Sequence, residues 1–343
     1  TSGNLSGIST VSTTNLTVNG NNYPSAGSLG RRNLIINGNP IVYQRAQTAS
    51  NIAAYQYHTA DRWRFSTQGT NVSNGRVTDM SVITNADIAG DFIGNYVRFN
   101  TTTGATNPES SASCGYNYRV EPQDIIPYLG KEMTLSFYAR SNAGIAINAG
   151  FISGAGSTIW YIDRDDSSTW VTLTSDWKRY TFTFTLGLTV PTTHMDIGIR
   201  HQPGIVGTVD LTGIQFEQGN TATVFEHRTY AEELALCQRY YFEYPKGNTY
   251  NIIANGFPNT TTNALFHFQF PVPMRDAPEV ATTGNWQVID GTSHSVTGFS
   301  AITDATTLTG RVDATTSGLT VGRGAMLRNN NDATATFSFS AEL

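Results

Sequence analysis

The sequence predicts an all-β protein, and three observations predict it. Threonine supplies 48 of the 343 residues, glycine 32 and aromatic residues 11%, a composition that suits pleated strands and the turns between them. Charged residues make up only 14%, against roughly 25% in ordinary globular chains, so the Lys and Glu that build solvated helices are scarce. Apolar residues recur with period two in segment after segment, separated by Gly, Asn, Ser and Pro clusters, which is the pattern of an antiparallel sandwich or barrel. The expected order is an extended shaft strand over 1–30, a β-sandwich over 31–228, a connecting helix over 229–243 and a C-terminal β domain over 244–343.

Residues 1–30 carry no charge and consist mainly of Ser, Thr, Asn and Gly, with isolated apolar residues at Leu5, Ile8, Val11, Leu16 and Val18. Gly and Ser favour a flexible linker. β-Branched residues between spaced apolar ones suit instead a thread that intertwines with copies of itself, and this shaft reading implies a homotrimer with those five side chains along its axis. The chain opens at Thr1, as a fragment or processed product would.

From Arg31 onward the strands can be read one by one. In Met133 to Arg140 the odd positions Met133, Leu135, Phe137 and Ala139 are apolar and are expected to face a core. Between Trp177 and Leu186 it is the even positions Tyr180, Phe182, Phe184 and Leu186, alternating with threonines. Met195, Ile197 and Ile199 form a third such strand. In Val209 to Glu217 the apolar parity switches between Leu211 and Ile214, and a glycine-assisted bulge at Thr212-Gly213 would absorb the extra residue.

One helix is expected, from Ala231 to Tyr241, with Glu232 and Glu233 in its first turn, Arg239 near its end, and Leu234, Cys237, Tyr240 and Tyr241 on one stripe. Strands resume after Pro245: Phe266, Phe268 and Phe270 alternate with Leu265, His267 and Gln269, followed by Trp286 to Ile289, Leu319 to Val321 and Phe337 to Phe339. Pro271, Pro273 and Pro278 mark edges or turns.

The formal charge of 21 − 26 = −5 excludes a general nucleic-acid binder, and no window of 18 apolar residues is present to insert into a membrane. Phosphate-binding loops, nucleophile elbows, His-Glu-x-x-His and Cys-x-x-Cys motifs are all missing. Cys114 and Cys237 read as buried small hydrophobes. His194, Asp196 and His201 do not form a metal set, because strand parity puts His201 on the opposite face. Asp163, Asp165 and Asp166 form a solvated acidic loop, with calcium binding or glycosidase chemistry as the sharper alternatives. Sugar recognition asks for aromatic faces beside planar polar groups, and Trp160, Tyr161, Asp163 and Trp170 are the candidate glycan platform.

The succession Asn33-Leu34-Ile35-Ile36-Asn37-Gly38-Asn39, Gln44-Arg45, Thr59-Ala60-Asp61-Arg62-Trp63, Leu135 to Arg140, Trp177 to Tyr180, Gln215 to Gly219 and Phe225-Glu226-His227-Arg228, followed by Tyr230 to Tyr241, resembles the carbohydrate-binding-module type jelly roll of bacteriophage tail fibres and related virion proteins. It covers about residues 31–243, and Phe270 to Pro278 carries a weaker similarity of the same kind. The resemblance implies a non-enzymatic, homotrimeric fibre without a cofactor, assembled in the bacterial cytoplasm, joined to other virion proteins at its N-terminal end and meeting host surface polysaccharide. No catalytic residue carries over from that family. The alternatives are a polysaccharide-depolymerising tailspike, whose repetitive β-helix pattern is not visible in this sequence, and a capsid decoration fibre or secreted adhesin.

Overall fold

The computed structural model describes residues 15–18, 21–24, 31–50, 56–68, 78–89, 92–102, 113–153, 170–201, 205–244 and 246–343. Within the N-terminal segment, β1 (Asn15–Val18) and β2 (Asn21–Pro24) pair antiparallel, with Leu16 opposite Tyr23. At these positions the backbone's partner is the chain itself. Leu5, Ile8 and Val11 lie outside the described residues.

Two six-stranded antiparallel sheets form a jelly-roll sandwich. One contains β3 (Thr48–Ala49), β6 (Thr78–Ala89), β7 (Phe92–Thr101), β9 (Glu132–Ser141), β12 (Lys178–Thr185) and β14 (Gly207–Gln218), in the order β12-β9-β14-β7-β6-β3. The other contains β4 (Gln56–Tyr57), β5 (Trp63–Gln68), β8 (Ser113–Val120), β10 (Ala146–Ser153), β11 (Val171–Thr172) and β13 (Met195–His201), in the order β11-β10-β13-β8-β5-β4. We call them the β9 sheet and the β8 sheet. Their inward faces share one core, in which Met133, Leu135, Phe137 and Ala139 meet Trp63, Phe65, Tyr116 and Ile197. Trp63 stacks on Tyr116 with ring centres 4.3 Å apart.

The parity switch in β14 is the expected bulge. Its register against β9 shifts between Thr212 and Gln215, and Gly213 takes φ +57°, a conformation that costs glycine little. Leu211, Ile214 and Phe216 all stay buried as a result. Thr134 and Ser136, on the outer side of β9, are buried as well, because the turn after β14 folds back over them. There Glu217 accepts from the Thr223 backbone N–H at 2.9 Å and from Gln215 Nε2 at 2.7 Å, and Arg179 donates to Ser136 Oγ at 2.9 Å.

The motifs that carry the family resemblance are mostly framework. Asn37 donates to the carbonyls of Val42 and Asp61 and accepts from the Val42 N–H, and Trp63 donates its indole N–H to the Asn37 carbonyl at 3.0 Å. Asn33 bridges both Ile35 and Phe216 N–H groups through Oδ1, Glu226 accepts from the Asn33 N–H at 2.8 Å, and Arg228 donates to the Ile35 carbonyl at 2.8 Å. Buried amides and carboxylates of this kind satisfy backbone groups that a strand ladder cannot reach.

The helical content differs from expectation. A one-turn helix, α1 (Pro122–Ile125), continues into a 3-10 turn at Ile126–Tyr128; prolines start each piece, and the run is too short to show periodicity. The longer helix α2 (Tyr230–Gln238) starts from a capping box in which Thr229 accepts from Glu232 N–H and Glu232 accepts from Thr229 N–H. It stops earlier than predicted. Tyr241–Glu243 is a strand, β15, that pairs with the C-terminal strand β24 (Thr336–Ser340), so the connector ends before Tyr241. Glu233 and Cys237 are the helix's buried residues, whereas Leu234 is only half-buried. Cys237 is an unpaired thiol, pushed up in pKa by burial.

The C-terminal body has its own core. β15, β24 and β18 (Glu279–Thr283) form a three-stranded sheet, and β16 (Ile252–Pro258), β17 (Asn263–Gln269), β19 (Trp286–Ile289), β20 (Ser293–Ser295), β21 (Gly298–Phe299), β22 (Thr309–Thr315) and β23 (Ala325–Asn329) form a seven-stranded one. The strand expected at Leu319 to Val321 is a loop. Gly318 and Gly322 on either side take φ +80° and +77°, which turns the chain too sharply for a ladder, although Leu319 itself is buried.

A charged network joins the two bodies. Arg62 is fully buried, with its guanidinium 3.4 Å from the ring centre of Tyr240 and an ion pair to Glu342. Arg45 reaches Asp61 at 3.3 Å and Glu342 at 3.2 Å and lies 3.6 Å over Tyr241.

Candidate functional site

Strand alternation sends Trp63, Phe65, Tyr116, Tyr118, Ile147 and Ile197 into the core, so their neighbours must occupy the outer face of the β8 sheet. The hydrogen-bonded register places Tyr57, Arg64, Asn117, Gly198 and Gly150 in one row across five strands. A second row holds Gly115, Arg200 and Asn148, and a third pairs Asp196 with Arg119.

Two opposed glycines, Gly150 and Gly198, leave the middle of this face without side chains. A Cβ at Gly198 would come within 2.8 Å of Asn117 Oδ1 and 3.9 Å of Arg200 Nε, so the Asn117 amide lies over a glycine floor. Arg64, Asn117 and Asn148 are recessed, at 7%, 8% and 4% exposure. Together they make a polar row of largely buried amides and guanidinium groups over a glycine floor, which we call the trough. At its β4 end the Tyr57 hydroxyl is buried without a hydrogen-bond partner. Burial raises the Tyr57 pKa, so the hydroxyl keeps its proton and its donor capacity.

Asp196 is the trough's described carboxylate. Burial would raise its pKa, but His194 and Arg119, with Nε2 at 3.4 Å and Nε at 3.1 Å, hold it below the usual carboxylate range. It therefore remains ionised at neutral pH and cannot supply a proton. His194 shares its face, as parity required; the His201 side chain lies outside the described residues. Among the described residues no three His, Cys, Asp or Glu side chains converge as metal ligands would.

Of the sequence-predicted glycan platform, Trp160, Tyr161 and Asp163 lie outside the described residues, as do the calcium candidates Asp165 and Asp166. Trp170 is described and half-buried. It directly precedes β11, whose Val171 and Thr172 pair with Ile147 and Ala146 of β10, and the same register carries Trp170 to the position opposite Asn148. Sequence reasoning missed Tyr57, Arg64, Asn117 and Asn148, since no spacing along the chain announces residues that only a five-strand register brings together.

No protein-family model and no curated protein matches this sequence. Among solved structures the chain is similar to a CBM4 module at 18% identity, covering 53% of this chain and 98% of that one with a TM-score of 0.35. It is also similar to TmCBM61, solved with β-1,4-galactotriose, at 13% identity, covering 55% and 100% with a TM-score of 0.33. A third likeness is to the enzymatically active domain of tailspike protein 4 of bacteriophage CBA120, at 13% identity, covering 46% and 19% with a TM-score of 0.31.

Proposed function

We propose that this chain is a non-enzymatic glycan-binding protein of a bacteriophage virion, a tail fibre or related attachment protein whose jelly roll meets host surface polysaccharide. The observation that carries the reading is the glycine-floored trough on the β8 sheet. Sugars present hydroxyls that both donate and accept, and amide and guanidinium groups are the chemistry that matches them. Tyr57 stands at one end of the row and Trp170 at the other, where an aromatic face suits a sugar ring. In this reading Trp160, Tyr161 and Asp163 belong to the same glycan platform, with calcium at Asp163, Asp165 and Asp166 optional.

The virion assignment rests on the resemblance between this sequence and phage fibre jelly rolls, and on the uncharged N-terminal segment. It brings with it a homotrimer, attachment to other virion proteins through the N-terminal end and assembly in the bacterial cytoplasm. The non-enzymatic reading rests on the same resemblance, from which no catalytic residue carries over. A glycan array with the purified chain is the test. Binding of a neutral oligosaccharide that Asn117→Ala and Trp170→Ala each weaken about tenfold, at unchanged melting temperature, is expected; shortening of that polysaccharide on incubation would replace the adhesin with a depolymerase.

A further inference from the structure

The outer face of the β9 sheet is built differently from the trough. Its register aligns Arg98, Asp210 and Arg140 across β7, β14 and β9, and carries Trp177 to the position beside Arg140, just before β12. Asp210 is buried and takes both guanidinium groups. Arg98 donates from Nε to Oδ1 at 2.7 Å and from Nη2 to Oδ2 at 2.8 Å, and Arg140 donates from Nε to Oδ2 at 2.8 Å. Two positive charges therefore share one negative charge, and the cluster keeps a net charge of +1.

The spare donors are what make the cluster more than a structural ion pair. A guanidinium has five N–H groups; Arg98 Nη1 and both terminal nitrogens of Arg140 have no hydrogen-bond partner among the described residues. Both side chains are about one third exposed, at 34% and 31%. They are also held rigid. The Arg140 guanidinium lies 4.6 Å from the ring centre of Trp177, and Tyr96 meets the same Trp177 edge-on at 5.3 Å. The next carboxylate on this face, Asp79, lies one row away opposite Asn100.

We propose that Arg98 and Arg140, locked together by the buried carboxylate of Asp210, form a second binding site that takes the carboxylate of an acidic sugar. The N–H groups that Asp210 leaves unused on two neighbouring guanidiniums are the donors a planar carboxylate takes, and preorganisation by Asp210 and Trp177 lowers the entropy cost of holding it. The protein's overall charge of −5 repels polyanions in general, so binding there has to come from this local geometry. The inference is independent of the trough and needs nothing from it.

The test is titration calorimetry of the full chain with trigalacturonic acid, its methyl ester and inorganic phosphate. Trigalacturonate is expected to bind, with the neutral ester weaker by about tenfold or more, the range of a charge-assisted fork. Arg98→Lys keeps an ammonium beside Asp210 and so keeps the fold, but loses the fork, and is expected to weaken trigalacturonate about tenfold while leaving neutral-glycan binding on the array unchanged. Arg140→Gln, checked by thermal melting, is expected to do the same. Undetectable trigalacturonate binding at about 5 mM, equal affinity for the ester, tighter binding of phosphate, or affinity unchanged in Arg98→Lys would each overturn the proposal.

Discussion

Asp61 and Arg62 are adjacent in sequence and both are fully buried, yet their situations differ. Burial pushes the Asp61 carboxyl up to about 6, against the lowering effects of Arg45 and Gln44. Because the folded value lies above the unfolded one, the stabilising contribution of this group is complete below about pH 4 and is lost as pH rises through about 6. Asp61→Asn removes that titration, so the pH dependence of its melting temperature between pH 4 and 7 is expected to differ from that of the parent in this sense. Identical profiles would refute the assignment. Arg62 sits under Tyr240 and against Glu342, and Arg62→Ala leaves that glutamate buried without its fully buried partner. A loss of about 3–5 kcal/mol in chemical denaturation is expected.

At the scale of elements, two glycines with different duties give separable outcomes. Gly213 holds φ +57° in the β14 bulge, where a Cβ is strained, so Gly213→Ala is expected to cost about 1–2 kcal/mol and to show as a lowered denaturation midpoint. Gly198 lies in the β13 ladder, and its constraint is space: an added Cβ meets Asn117 Oδ1 at 2.8 Å. Gly198→Ala is expected to keep the fold, displace the Asn117 amide and weaken glycan binding on the array; retained binding would remove Asn117 from the site. The alternations at Met133 to Ala139 and Tyr180 to Leu186, and the bulge at Thr212-Gly213, could be read from sequence because burial on one face writes period two directly into residue choice. The one-turn helix at Pro122, the loop at Leu319 and the strand at Tyr241 could not, because segments of a few residues carry too few positions for any period to appear.

For the whole molecule, two separate cores and a shared charged junction predict how it unfolds. Glu342 holds both Arg45 and Arg62, residues of the sandwich, from the end of the C-terminal body. Glu342→Ala is expected to split calorimetric unfolding into two transitions, one for each core; a single transition at the parent temperature would show that the junction couples nothing. The proposed homotrimer is tested by sedimentation of the full chain at micromolar concentration, where a monomer would refute it.

The sequence by itself determined the all-β class, the inward faces of the long strands, the bulge and most of the longer helix, because each is written in neighbours a few residues apart. What only the tertiary structure decided is which residues lie side by side on a sheet: Tyr57 with Arg64, Asn117 and Gly198, and Arg98 with Asp210 and Arg140. Cross-strand neighbours are fixed by register and strand order. These emerge when distant segments, such as Arg98 and Asp210 at a sequence separation of 112, bury a common core, so no local pattern along the chain could encode them.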